Sequence, residues 1–419
     1  MNKTPWFWVP SLYLYQGIPY SIVMTTSALF YQSMGINVAS FTFWTSLLYL
    51  PWTIKPLWSP IVEACSTKRR WVVITQMVVA VLFLLLGLSF QIQWFYPLSL
   101  LTLLFIALGS ASHDIACDGF YMLALNSRQQ SFFVGIRTVF YKVAMLAAVG
   151  LIPIVVDYVN GKNTSNSSWG WTVAFITLGI VMLALWLYNS RMLPHPTDTT
   201  SDSSSSLTIY KEVIVSFFSK PGVVPSIAFL LLYRLGEAQL AKIATPFLID
   251  DRSNGGLGMS MTDYGIAYGT LGMIALTLGG VVGGWLASKF GLKRLIWPMV
   301  AFMNLPNLVY VALAIWQPVA DSWTIYAAII TEQLGYGFGF TAYMLFLLLY
   351  VGDSKYKTAE YALGTALMAL GMMLPGMISG FIQELVGYDY FFIYVVICCI
   401  PGTILVKYLR LEDNSQTEE

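Results

Sequence analysis

The chain predicts an all-α integral membrane protein with twelve transmembrane helices in two six-helix pseudo-symmetric halves, and three observations carry that prediction. Of its 419 residues 57% are hydrophobic and 10% charged, where an ordinary soluble domain is roughly 25% charged, and mean hydropathy is +0.68. Crossing the hydrocarbon core takes roughly 20 apolar residues, and twelve such runs follow one another. A polar stretch rich in serine divides them into two sets of six.

The first run, near residues 5 to 33, follows a single Lys3, exceeds a signal peptide's apolar region and lacks a small-residue cleavage site; it reads as a retained span. Gly17 and Pro19 interrupt it. The second, 39 to 64, holds Lys55 among Pro51, Pro56 and Pro60. The basic loop Ser66-Thr67-Lys68-Arg69-Arg70 leads into the third, 71 to 91. The fourth, 96 to 126, carries His113, Asp114 and Asp118 near its middle. An Asp at the bilayer centre costs about 2.5 to 3.5 kcal/mol on insertion scales, so two of them should face protein or water. The fifth run, 130 to 157, contains Arg137 and Lys142, and the sixth covers 170 to 191.

Residues 192–221, with Pro194, Pro196 and the polar run Thr199 to Ser206, read as a flexible cytoplasmic linker with an amphipathic tail. The seventh run, 222 to 250, carries Arg234, Glu237 and Lys242. In the eighth, 260 to 288, Gly279-Gly280 and Gly283-Gly284 suit close helix packing. The ninth is 295 to 317; the tenth, 322 to 350, places Glu332 and Gln333 before Gly335, Gly337 and Gly339. The eleventh, 358 to 385, is broken at Pro375 and Gly376, and the twelfth is 389 to 408. The expected domains are therefore 1–191, the linker 192–221, 222–410 and a short tail 411–419.

Twelve crossings from a cytoplasmic N-terminus put most Lys and Arg inside and only Lys162 and Arg252 outside, so the positive-inside rule places both termini in the cytoplasm. Trp94, Trp169, Trp171 and Trp323 fall near span ends, where interfacial anchoring is expected. Cys65, Cys117, Cys398 and Cys399 lack metal-ligand spacing and read as structural thiols; no metal or cofactor is expected.

Intramembrane charge is the chemical signal. Lys55, Arg137, Lys142, Arg234 and Lys242 oppose Asp114, Asp118, Glu237 and Glu332. Asp114 and Asp118 are four apart and share a face that Tyr121 continues, and Arg234 and Glu237 are likewise neighbours. Such a set suits a polar cavity for an anionic or zwitterionic solute, with Gln16, Tyr20, Gln333 and Tyr336 as further lining candidates; structural ion pairing is the alternative for any one residue. His113 points about 100° from Asp114, leaving a proton relay or a packing role open. An embedded metal-dependent enzyme would need a fuller acidic motif, so no enzymatic activity is expected. No soluble signalling domain or nucleic-acid interface is evident, and a monomer is expected.

Each half carries a basic loop after its second span, and a duplicated six-span unit of this kind resembles the major facilitator transporters. The run Gly284-Trp285-Leu286-Ala287-Ser288-Lys289-Phe290-Gly291-Leu292-Lys293-Arg294 resembles that superfamily's loop signature, with Ser288 where an acid is usual. The resemblance makes Lys289, Gly291, Lys293 and Arg294, with Glu63, Arg69 and Arg70 in the first half, candidates for cytoplasmic gating loops. More specifically, Lys55-Pro56-Leu57-Trp58-Ser59-Pro60, Ser110 to Asp118 and Tyr141-Lys142-Val143-Ala144-Met145 resemble the AmpG muropeptide permease motifs K-x-L-W-S-P, S-A-S-Q-D-I-x-x-D and Y-R-x-G-M. His113, Lys142 and Ala144 depart from them. Acetyl-coenzyme A transporters share the polar fourth span. The resemblance implies proton-coupled import of anhydro-muramyl sugars, with or without peptide, across a bacterial inner membrane. Asp114 or Asp118 would carry the proton, and Lys55, Arg137, Lys142 and Arg234 would meet substrate charge or gate through ion pairs. Another anionic solute, an oligosaccharide or acetyl-coenzyme A, is the alternative cargo.

Overall fold

The structure is a computed structural model that describes residues 4–55, 57–59, 62, 66–162, 168–196, 206–352, 354 and 356–411. Among these residues every regular element is a helix. In chain order α1 is Val9–Ser21, α2 Ser27–Ser33, α3 Val38–Leu47, α4 Leu50–Thr53, α5 Lys68–Ser89, α6 Phe95–Ala124, α7 Ser127–Leu146, α8 Ile152–Lys162 and α9 Ser168–Met192. Then come α10 Ser206–Phe218, α11 Val223–Leu232, α12 Leu235–Ile249, α13 Met261–Tyr264, α14 Met273–Phe290, α15 Leu292–Asn304, α16 Leu308–Trp316, α17 Trp323–Val351 and α18 Lys357–Leu405.

Nine stretches of the described residues are long and apolar enough to cross a membrane. The last of them contains two spans, because Gly387 takes φ 76°, ψ 171° and breaks α18 where a side chain would be strained. The continuous run of α1, a π-helical turn Ile22–Thr26 and α2 supplies another span, and α3 with α4 begins the last. The twelve-helix architecture follows.

Local chemistry sets the boundaries. The Thr67 hydroxyl caps α5 by accepting from the Arg70 amide (3.3 Å). A reciprocal Asn126–Gln129 capping box opens α7. Gly291, at φ 76°, separates α14 from α15. Asn126 and Gly291 thus turn the chain back where the apolar pattern pauses.

Two compact units result: residues 1–35 with 48–206, and residues 36–47 with 207–419. The first is centred on Trp8, Leu12, Tyr13, Phe120 and Tyr121, the second on Phe229, Tyr233, Met299, Tyr343 and Phe346. Within the first, the π turn of residues 22–26 meets a second one, Ala147–Leu151, where the Thr26 hydroxyl donates to the Ala148 carbonyl (3.0 Å). Within the second, α3 lies on α18: the Ala39 amide donates to Glu384 Oε1 (3.1 Å) and the Lys242 ammonium to Thr45 Oγ1 (3.2 Å). Gly376 and Gly380 permit that approach, since a Cβ there would collide with Ser46 and Thr42.

The glycines of the eighth and tenth runs serve helix packing, as expected. A Cβ on Gly279 would strike the Leu334 carbonyl, and one on Gly337 the Leu276 carbonyl. Trp171 departs from expectation. It is 1% or less exposed and donates from Nε1 to Ser33 Oγ (2.8 Å), packed on Phe30, Phe90 and Phe175, so it belongs to the core. Trp94, Trp169 and Trp323 are exposed.

Candidate functional site

In the first unit α6 aligns two ion pairs. The Lys55 ammonium pairs with Asp114, and Arg137 Nη1 lies 3.4 Å from Asp118 Oδ1. The four-residue spacing of the acids stacks the pairs roughly one helical turn apart, about 6 Å along α6. Neither is sealed: side-chain exposure is 30% for Lys55, 22% for Asp114, 31% for Arg137 and 43% for Asp118. Charges held in this half-open state can exchange partners with an incoming ion at far lower cost than a fully buried pair.

Helix α1 supplies the neutral ligands. Gln16 Nε2 donates to Asp114, and the Cys117 thiol lies 3.5 Å from Gln16 Oε1. Tyr13 receives a hydrogen bond from Arg137 Nη1 (3.2 Å) and reaches toward Asp118 Oδ1 (3.5 Å). The Arg137 guanidinium also sits over the Tyr13 and Tyr121 rings, 4.8 and 5.2 Å from their centroids. Tyr13 and Gln16, three apart on α1, thus face Asp118 and Asp114, four apart on the antiparallel α6. Tyr13 was absent from the sequence-based candidates. Its i, i+3 relation to Gln16 was the available signal, but the pairing register of α1 and α6 was not in the sequence.

Lys142 is half-buried, and no ion pair holds it among the described residues. Five residues beyond Arg137, it leaves α7 about 140° away. Tyr20 packs edge-on to Trp52, 5.3 Å between centroids.

His113 does not join Asp114. It is 2% exposed, and its Nε2 lies 3.1 Å from Gln76 Nε2 on α5. Gln76 accepts at Oε1 from Asn189 Nδ2 (3.3 Å), Asn189 Oδ1 accepts from Ser11 (2.6 Å), and the Gln76 carbonyl accepts from Tyr15 (2.5 Å). The imidazole therefore completes a buried polar seam joining α1, α5, α6 and α9. Of the two roles open in the sequence, these contacts describe packing.

In the second unit Arg234 Nε donates to Glu237 Oε2 (2.7 Å) and Nη2 to the Tyr336 hydroxyl (2.6 Å), with its guanidinium over the Tyr336 and Phe340 rings. Both charged groups are buried. Glu332 and Gln333, each 5% exposed, bond to one another from Gln333 Nε2 to Glu332 Oε2 (2.8 Å). Lys242 is apart from this cluster, on Thr45.

The loop candidates divide. Arg69 donates to the carbonyls of Ser190 (2.7 Å) and Leu193 (3.5 Å), capping the end of α9. Arg70, Lys293 and Arg294 are exposed, and Lys289 lies over the Trp285 and Phe290 rings. Glu63 and Cys65 lie outside the described residues; Cys117, Cys398 and Cys399 are buried free thiols.

One polar cluster had no place among the candidates. Lys220 pairs with the fully buried Glu360 and donates to the carbonyls of Tyr350 (3.0 Å) and Val351 (2.7 Å), which end α17. Ser216 and Ser354 donate to Glu360 Oε1, both at 2.6 Å. The later part of the linker is thereby the ordered helix α10, tied into the second unit rather than a free tether.

Residues 11–359 match the profile of the Major Facilitator Superfamily. The chain is 25% identical over 413 residues to the anhydromuropeptide permease of Escherichia coli (strain K12), covering 95% of this chain and 79% of that protein. It is 23% identical over 417 residues to a Rickettsia conorii transporter named AmpG 4, covering 95% and 94%. A bacterial homolog of the human lysosomal transporter Spinster, inward-facing and unoccupied, superposes with a TM-score of 0.71 at 13% identity over 96% of each chain. A D-xylose-proton symporter gives 0.68 at 10% identity over 98% of each. At those identities the solved structures share the fold.

Proposed function

This chain belongs to the Major Facilitator Superfamily, and from that premise we propose that it is a proton-coupled secondary transporter that imports muropeptide-type solutes by alternating access. The cargo would be anhydro-muramyl sugars with or without a peptide stem. It would cross a bacterial inner membrane, with both termini of the carrier in the cytoplasm. The observation that carries the reading is the pair of half-open ion pairs on α6, Lys55–Asp114 and Arg137–Asp118. Similarity to the anhydromuropeptide permease over 95% of the chain supports the choice of cargo.

In this mechanism a carboxylate of the solute competes with Asp114 for Lys55 or with Asp118 for Arg137. The displaced aspartate, freed of its cation, is then the group that takes up the proton. Proton binding and solute binding thereby become linked, and return of the aspartate to its cation expels both. Gln16, Tyr20 and Tyr13 offer donors and aromatic surface to sugar hydroxyls and rings. Within the second unit Arg234–Glu237 and Gln333 are further polar groups that could meet solute.

The test is thermal stabilisation of the purified protein by anhydro-muropeptides, free muramyl sugars, simple disaccharides and acetyl-coenzyme A, followed by uptake into proteoliposomes. Stabilisation by anhydro-muropeptides and gradient-dependent uptake are expected. Stabilisation by acetyl-coenzyme A alone overturns the cargo, and gradient-dependent uptake surviving Asp114→Asn with Asp118→Asn overturns the proton assignment.

A further inference from the structure

The second unit holds a carboxyl group unlike the other three. Asp114, Asp118 and Glu237 each face a cation, whereas Glu332 has no ion-pair partner among the described residues. It is 5% exposed, and its one hydrogen bond comes from the neighbouring amide of Gln333 (2.8 Å). The charged group acting on it is Glu237, itself held by Arg234, and the phenols of Tyr268 and Tyr310 face it electrostatically from the adjoining elements. Tyr310 is fully buried, and its hydroxyl has no hydrogen-bond partner among the described residues.

The backbone at this level is also unusual. Gly265–Gly272, which carries Tyr268, is π-helical, and Gly272 lies so close to α17 that a Cβ would come 3.2 Å from Gln333 Cγ. π segments inside membrane helices concentrate at functional positions. An uncompensated carboxylate in hydrocarbon is expensive, and taking up a proton removes that expense.

We propose that Glu332 is a second proton-carrying site of this transporter, located in a different six-helix half from Asp114 and Asp118 and loaded without displacement of any cation. The assignment rests on the transporter reading above but not on the identity of the cargo. The carboxylate oxygen forms an O–H bond with a proton from water on the outer side. That bond breaks when the site opens inward and the proton returns to water. No group changes oxidation state.

Infrared difference spectroscopy of the full chain in lipid, titrated across neutral pH, reads the group directly. The carbonyl band of a protonated carboxyl should appear in the solute-free parent protein, survive Asp114→Asn with Asp118→Asn, and vanish when Glu332→Gln is added to those two changes. In proteoliposomes, Glu332→Gln should lose gradient-driven accumulation of a labelled anhydro-muramyl peptide while keeping solute counterflow, which needs no net proton movement. Absence of the band in the parent, its persistence when Glu332→Gln is added to Asp114→Asn and Asp118→Asn, or parent-level accumulation by Glu332→Gln overturns the proposal. If the parent fails to move the labelled peptide, the cargo assignment falls while the infrared result still decides Glu332. Should Glu332→Gln not fold, Glu332→Asp serves instead, and the band should shift in frequency if the proposal holds and stay fixed if it does not.

Discussion

The Lys55–Asp114 pair lends itself to a double-mutant cycle. Replacing Lys55 by Met leaves the Asp114 carboxylate with Gln16 as its remaining ligand, and replacing Asp114 by Asn leaves the Lys55 ammonium with only the more distant charge of Asp118 to oppose it. Removing one partner of a sealed pair costs about 3 to 5 kcal/mol, and an exposed pair is worth about 0.2 to 1 kcal/mol. With side chains 30% and 22% exposed, the pair lies between these limits. We expect each single change to cost about 2 kcal/mol, a shift of roughly thirtyfold in the folding equilibrium. The double variant should cost little more than either single change, because neither charge is then stranded, giving a coupling energy of about 1.5 to 2 kcal/mol. Unfolding free energies in mixed micelles supply the four corners of the cycle. Additive single and double effects would refute the pairing, and solute-dependent uptake unaffected by any corner would remove it from the transport site.

Two further outcomes follow from packing and from the His113 seam. Gly279→Ala and Gly337→Ala should each prevent stable folding, because the new methyl meets a backbone carbonyl across the α14–α17 contact, whereas Gly284→Ala, with open space around it, should leave yield and melting temperature unchanged; size-exclusion profiles and thermal melts distinguish them. His113→Ala should lower stability by about 1 to 3 kcal/mol by orphaning Gln76, while His113→Gln restores a partner and should transport at the parent rate. A changed cargo preference in His113→Gln would place the imidazole in the solute path after all.

Much of the architecture was legible in the residues, because the signals for it are local. A run of apolar residues is forced into a helix by the need to satisfy its backbone groups within itself, so the spans could be read at 96 to 126 or 322 to 350 without reference to any neighbour. The spacing of Asp114 and Asp118 placed them on one face, and that of Arg234 and Glu237 placed them in contact. Gly279 and Gly337 were legible as packing positions because a bare backbone has few other uses in a membrane helix.

Partner choice was not local. The sequence grouped Lys55 and Arg137 with both aspartates but could not assign which cation meets which acid, nor bring Tyr13 to Arg137, because those contacts depend on the register between α1, α6 and α7. His113 and Asp114 are adjacent in the chain yet open onto different helices, a separation of direction that the 100° helical step permits and the surrounding helices decide. Trp171 reads as an interfacial anchor by position and is core by packing. Lys220 and Glu360, 140 residues apart, meet only because α10 folds back to where α17 ends and α18 begins. Composition and periodicity alone therefore determined that this chain spans a membrane and keeps charge inside it. The tertiary structure decided which of those charges are compensated, leaving Glu332 without an ion-pair partner among the described residues, because compensation is a matter of distance between segments the chain itself keeps far apart.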